Sequence, residues 1–321
     1  MLFWTGVLFM KRPASPRLLL VLAVSCLAFL AGCPRLSGRR GEPMISVFFH
    51  ENGKKRRMPI EEYLLGVVAG EMKPNWPEET YAAQAILART FTMEFIGRGG
   101  TRRLHGTEIC TDEKHAQAYT ESAITPAIRR AVARTRGLVM RYRGKYVRGW
   151  FSASCGGRTT FARVGLALKE PEPPYISSVA CPEAKVIPKE EAFWWAGFSG
   201  AELAAAAKKA TGRTIGPVEE VAAAAKDELT GRTTRLRLRG PGGTVEVAAA
   251  DLRVALGPER MRSIWLTTLK SEGGKVTMAG RGFGHGVGLC QWGAYALAKE
   301  GKDPQEIVRH YYPKVQIVKE W

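Results

Sequence analysis

Apolar runs separated by short polar breaks predict the elements of this chain. Leu18 to Leu30 is almost continuously apolar and follows the basic residues Lys11, Arg12 and Arg17. It is shorter than the roughly 20 residues of a membrane-spanning helix, so it reads as the core of an export signal. Met10-Lys11-Arg12 is a more typical start for such a signal than the apolar Met1 to Phe9. Met44 to His50 reads as a strand, with a turn at Glu51-Asn52-Gly53. A helix is predicted from near Pro59, with Glu61 and Glu62 in its first turn and the apolar run Leu64 to Gly70 behind them. Pro77, Glu78 and Glu79 open a second helix, where Ala82, Ala83, Ala85 and Ala88 permit close packing. Residues 98–120 are loop-like. A helix over Pro126 to Arg136 follows, then strands near Leu138 to Met140 and Lys145 to Phe151, and a loop at Pro171 to Pro174.

The texture changes from about 190 to 270. Alanine-rich stretches at Ala201 to Ala210 and Glu219 to Lys226 read as helices. Thr234 to Arg239 alternates Arg and Leu, and Thr244 to Ala248 answers it across Pro241-Gly242-Gly243, the pattern of a hairpin. Asp251 caps a further helix running to Leu256, which Gly257 and Pro258 end. The prediction is an α+β fold with a catalytic core over 44–190 and 271–321, interrupted by an inserted α+β lobe over 191–270. Residues 1–32 form the signal and 33–43 a flexible tether.

Leu30-Ala31-Gly32-Cys33 has the form of a bacterial lipobox, so Cys33 is the expected lipidation site. The competing reading is an ordinary signal peptide or an uncleaved anchor. The formal net charge is +18, and the three basic residues of the leader leave +15 on the exported part. Such a field draws a protein to anionic polymers. After export these are wall glycans, teichoic acids or lipid headgroups rather than nucleic acid. Cys110, Cys155, Cys181 and Cys290 remain, and in an oxidising envelope they can pair, bind metal or stay free.

Arg281 to Ala294 holds the densest signal. Gly282, Gly284, Gly286 and Gly288 recur at every second position, with His285 and Gln291 among them. Glycine at that spacing allows positive φ or close backbone approach and supplies no packing of its own. The plain alternative is a Gly-rich turn with a solvated histidine. Glu71 ends an apolar run, which makes it either a solvated helix end or a carboxyl in dry surroundings with a raised pKa. No Gly-x-Ser-x-Gly elbow is present, which weighs against a serine hydrolase.

Four segments in order, Val68 to Met72, Gln84 to Thr90, Phe151 to Thr159 and Phe283 to Ala294, resemble the SpoIID/LytB family of bacterial cell-wall proteins. The resemblance covers roughly residues 44–318. It implies a lytic transglycosylase that cleaves the β-1,4 bond between N-acetylmuramic acid and N-acetylglucosamine in glycan strands, leaving a 1,6-anhydro end. It places the catalytic acid/base on Glu71. It implies a glycan groove lined by Arg89, Ser152, Ser154, His285 and Gln291, with Arg89 on the muramic lactyl carboxylate (the plain alternative being a surface salt bridge) and His285 and Gln291 orienting substrate or bracing Glu71. His105, Cys110 and His115 match part of a zinc motif seen in some relatives, with Ala116 where the last cysteine stands. Three such ligands still suit a structural zinc, and catalysis needs no cofactor. Cys155 and Cys181 are candidates for a disulfide beneath the site. The LytB branch implies the alternative, a non-catalytic wall-binding protein that stimulates an N-acetylmuramoyl-L-alanine amidase. A third reading is a zinc-dependent wall hydrolase. The expected partners are peptidoglycan, a membrane reached through Cys33, and a wall amidase. The expected location is the cell envelope, on the outer face of the plasma membrane or in the periplasm.

Overall fold

In chain order, the computed structural model contains β1 (Met44–Phe49), β2 (Lys54–Pro59), α1 (Ile60–Glu71), α2 (Glu78–Gly97), β3 (Ile109–Cys110), α3 (Pro126–Arg134), β4 (Leu138–Tyr142), β5 (Lys145–Tyr146) and β6 (Phe151–Ser152). Then follow β7 (Phe193–Ser199), α4 (Gly200–Thr211), β8 (Glu220–Lys226), β9 (Thr233–Gly240), β10 (Gly243–Ala248), α5 (Ala249–Leu256), β11 (Leu266–Glu272) and β12 (Lys275–Arg281). The chain closes with β13 (Leu289–Cys290), α6 (Gln291–Lys299), α7 (Pro304–Tyr311) and β14 (Gln316–Lys319). The structure describes residues 41–321; the signal, the lipobox at Cys33 and most of the tether lie outside the described residues. Helices and small sheets pack around three hydrophobic clusters, an α+β fold. No helix among the described residues is long and apolar enough to cross a membrane.

Helix α2 is the axis of the core. Thr80 to Thr90 is buried on every side, which explains a sequence too alanine-rich to show one apolar face. One side packs with α1, α3 and β1; Ala82, Ala85 and Ala88 belong to that cluster. The other side, through Ala83, Ile86 and Leu87, meets α6, α7 and β13. Small side chains let four helices approach one central helix.

The inserted lobe has its own core, from Phe198, Leu203, Leu236, Leu238, Val245, Val247 and Met278. It holds two three-stranded sheets, β10-β9-β8 and β11-β12-β7. β12 pairs along its length with β7, from Lys275 opposite Ser199 to Arg281 opposite Phe193. The sheet that begins with β7 therefore extends to Arg281. Residues 219–226, read as helix, form strand β8 along β9. Alanine favours helix locally, but β9 buries Leu236 and Leu238 and pairs with a strand on each side. Tertiary pairing overrides the weak propensity. Helix α5 begins at Ala249 with no side-chain cap, and Asp251 sits in its first turn rather than at its cap.

Candidate active site

Helix α1 delivers Glu71 to the site. Its first turn carries Glu61 and Glu62, and Tyr63, Leu64, Val67, Val68 and Ala69 are buried behind them. Gly66 and Gly70 are glycine for a packing reason. A Cβ on Gly66 would stand 2.1 Å from the Tyr119 ring, and one on Gly70 would stand 2.7 Å from the Tyr119 backbone nitrogen. The segment 117–119 thus lies directly against the helix end, and the Ala118 N–H donates to Glu71 Oε1 at 2.8 Å. Among the described residues no cation pairs with this carboxylate. Burial dominates over that single N–H, and the charge of Glu113 adds to it, so the carboxyl is pushed from an ordinary 4.5 up to about 7.

The Gly-rich run is laced onto the serine-rich segment. β13 lies parallel to β6, with Leu289 opposite Phe151 and Cys290 opposite Ser152. Ser154 bridges Phe283, and Thr160 bridges Val287. Gly282, Gly284, Gly286 and Gly288 all have φ between 71° and 108°, a region costly for other residues. At Gly288 a Cβ would also meet the Trp150 carbonyl oxygen at 2.1 Å. The run leads into α6, whose first residue, Gln291, donates from Nε2 to the Glu71 backbone carbonyl at 3.1 Å. Gln291 and Glu71 thereby come together, by way of the main chain. Behind Gln291, Trp292 packs with Trp76 and Tyr295 at ring distances of 4.7 and 5.6 Å. Lys73 lies over Trp292 and pairs with Glu191, which also accepts from Trp292 Nε1.

A family model described as stage II sporulation protein (SpoIID) matches residues 50–142. Stage II sporulation protein D of Bacillus subtilis (strain 168) is 32% identical over 293 residues, which covers 85% of this chain and 78% of that protein. The chain belongs to the SpoIID family. An uncharacterized protein of Brachyspira hyodysenteriae is 33% identical over 263 residues, 81% of this chain and 66% of its own length. This SpoIID chain is also similar to the amidase enhancer of Bacillus subtilis, at 25% identity over 78% of this chain and 39% of the enhancer.

Of the residues expected to line a SpoIID glycan groove, Arg89, Ser154 and His285 are engaged within the fold, and Ser152 is buried. Arg89 is fully buried and bidentate to Glu61, at 2.9 and 2.6 Å, and also donates to the Leu138 carbonyl. Glu61, which reads as helix-terminal charge, is the hub of this network, accepting also from the Gly137 N–H and from Trp321 Nε1. Arg89 therefore ties α2 to α1 and, through Glu61, to the chain end. Ser154 is buried and donates to Glu183 at 3.1 Å. Ser152 Oγ is buried without a protein partner among the described residues. His285 accepts the Val287 N–H at Nδ1, 3.0 Å away, and its ring also bonds the Phe151 backbone. Burial first, then Arg253 and Arg232, hold it near 3, so at neutral pH the ring is an uncharged brace of the Gly-rich turn.

His105, Cys110 and His115 do converge, their donor atoms within 4.8 Å of one another. His105 Nε2 stands 3.2 Å from His115 Nδ1, and the Asp112 carboxylate is 3.8 Å from His115 Nδ1. His105 stacks on Phe48 of β1 at 4.3 Å. Two imidazoles and a thiol turned toward one point fit a zinc-type donor set of three. Cys155 and Cys181 are free thiols rather than a disulfide. The sequence reading missed Glu183, which meets them together with Cys290, and the Trp76–Trp292 pair beside Gln291. The Cys181-Pro182-Glu183 spacing was the available signal for the first of these.

Proposed function

We propose that this chain is a peptidoglycan lytic transglycosylase acting on glycan strands stripped of stem peptides, with Glu71 as its acid and base. The observation that carries the reading is a carboxyl raised to about 7 at the end of a buried helix. Half-protonated near neutrality, it can donate to the glycosidic oxygen as the bond to muramic C1 breaks. As carboxylate it then takes the proton of the muramic C6 hydroxyl, whose oxygen closes on C1 to give the 1,6-anhydro ring. Proton count balances over the cycle and Glu71 ends protonated, so one carboxyl serves where most glycosidases use two. The Ala118 N–H and Gln291 hold its position. A zinc held by His105, Cys110 and His115 would be structural, bracing the loop that leads to Ala118; the acid/base steps are Glu71's own. The test is mass analysis of digests from wild type and Glu71→Gln on amidase-treated glycan. Anhydro ends from the first and none from the second support the reading; equal products sink it.

The second reading is an enhancer of a wall amidase, favoured by the similarity to the amidase enhancer. It predicts that purified chain leaves glycan strands intact and accelerates an added amidase. In either role the Leu30 to Cys33 lipobox would tether the exported chain to a membrane. Cys33→Ser should then remove the lipid from the mature mass, and an unchanged mass would exclude the anchor.

A further inference from the structure

We propose that Cys155, Cys181, Cys290 and Glu183 form a second, closed metal site that holds one zinc ion beneath the Gly-rich turn. Their donor atoms all lie within 4.8 Å of one another, and all four residues are buried. A tetrahedral zinc with thiolate bonds of about 2.3 Å spaces its donors by somewhat under 4 Å. The cage therefore needs only slight closure, plus an opening of the 2.7 Å contact between Cys290 Sγ and Glu183 Oε2.

The surroundings are those of a ligand shell. The Cys155 and Gly293 N–H groups both donate to Cys290 Sγ, at 3.3 and 3.4 Å, the second from the first turn of α6. Ser154 Oγ and the Cys155 N–H donate to the two oxygens of Glu183, each at 3.1 Å. Tyr311 Oη stands 3.3 Å from Cys181 Sγ. Outer contacts of this kind orient metal ligands. Among the described residues no lysine or arginine pairs with Glu183, and a buried carboxylate beside three thiols calls for a cation. Arg232, held through Nη2 by the Cys155 and Arg158 carbonyls at 2.6 and 2.7 Å, keeps Nη1 buried without a partner among the described residues. Its charge offsets part of the excess that four anionic donors would leave on a divalent ion. Three sulfurs and one oxygen in a tetrahedral cage select zinc over magnesium or calcium.

Such a site would be structural, since four protein donors leave no open position. It would join the Ser152–Gly157 segment, the Cys181–Glu183 segment and the start of α6, where Gln291 meets Glu71. The inference does not depend on the proposed reaction.

The experiment is metal analysis of the purified full chain, with cobalt substitution of the same sample. Expected are a tightly held zinc surviving in His105→Ala/His115→Ala, at least tenfold less in Cys181→Ser and Cys290→Ser made in that background, and a thiolate-to-cobalt band of three-sulfur intensity. The wild-type cobalt spectrum stands even if a variant fails to fold, because the other cluster supplies one sulfur only. Three results overturn the proposal: a one-sulfur band, no zinc uptake by reduced protein, or a disulfide among the three cysteines in non-reducing mass analysis.

Discussion

Glu71→Gln should make the protein more stable at pH 8 and leave it nearly unchanged at pH 4. Glutamine is close in shape and its oxygen can keep the Ala118 N–H that Glu71 accepts. In the wild type, burial raises the folded carboxyl from an ordinary 4.5 to about 7. A group whose folded pKa is raised contributes stability that is complete below the unfolded value and lost as pH climbs through the folded one. The loss here falls between about pH 4.5 and 7. At 1.36 kcal/mol for each tenfold step, it is bounded at about 3 kcal/mol, and partial solvent access brings the expectation to about 1–3 kcal/mol. For a chain of this size that is a rise of several degrees, at roughly 2–4 °C per kcal/mol. Thermal unfolding by circular dichroism at the two pH values checks it. Equal melting of wild type and variant at pH 8 would mean that Glu71 is solvated, and the acid/base argument would lose its physical basis.

The same carboxyl must be protonated to act, so the rate of glycan cleavage should fall with a limb near pH 7; a flat profile from pH 6 to 9 speaks against Glu71 as the acid. Arg89→Ala leaves Glu61 without its buried partner and should cost about 3–5 kcal/mol in urea unfolding; full stability with weakened glycan binding would restore a substrate role. Gly70→Ala places a Cβ 2.7 Å from the Tyr119 nitrogen. It should cost about 1–3 kcal/mol by overpacking and slow cleavage more than it weakens binding, because the Ala118 N–H is displaced; an unchanged rate would show that this loop does not set the carboxyl.

What was legible in the sequence was what local pattern controls. The apolar run before Glu71, the proline-led helix starts and the alternating hairpin over 234–248 all gave their elements, and the alternating glycines gave positive φ. What was not legible depends on who meets whom across the fold. Arginine 89 reads as a free carboxylate binder until Glu61, 28 residues earlier, is seen to occupy it. His285 reads as a groove-lining residue until the Val287 N–H and the Phe151 backbone are seen to engage its ring. Cys155 and Cys290 lie 135 positions apart, and the pairing of β6 with β13 and the bridges beside it bring them together. Strand β8 failed for the opposite reason: alanine speaks strongly for helix and says nothing about a neighbouring strand that needs a partner.

The central claim is that Glu71 turns the substrate's own hydroxyl, and not water, into the nucleophile. Cleavage of amidase-treated glycan by the purified chain in heavy-oxygen water, followed by mass analysis of the new ends, tests it most directly. The account predicts 1,6-anhydro ends carrying no heavy oxygen. Reducing ends labelled at C1, or strands left uncut, would contradict it.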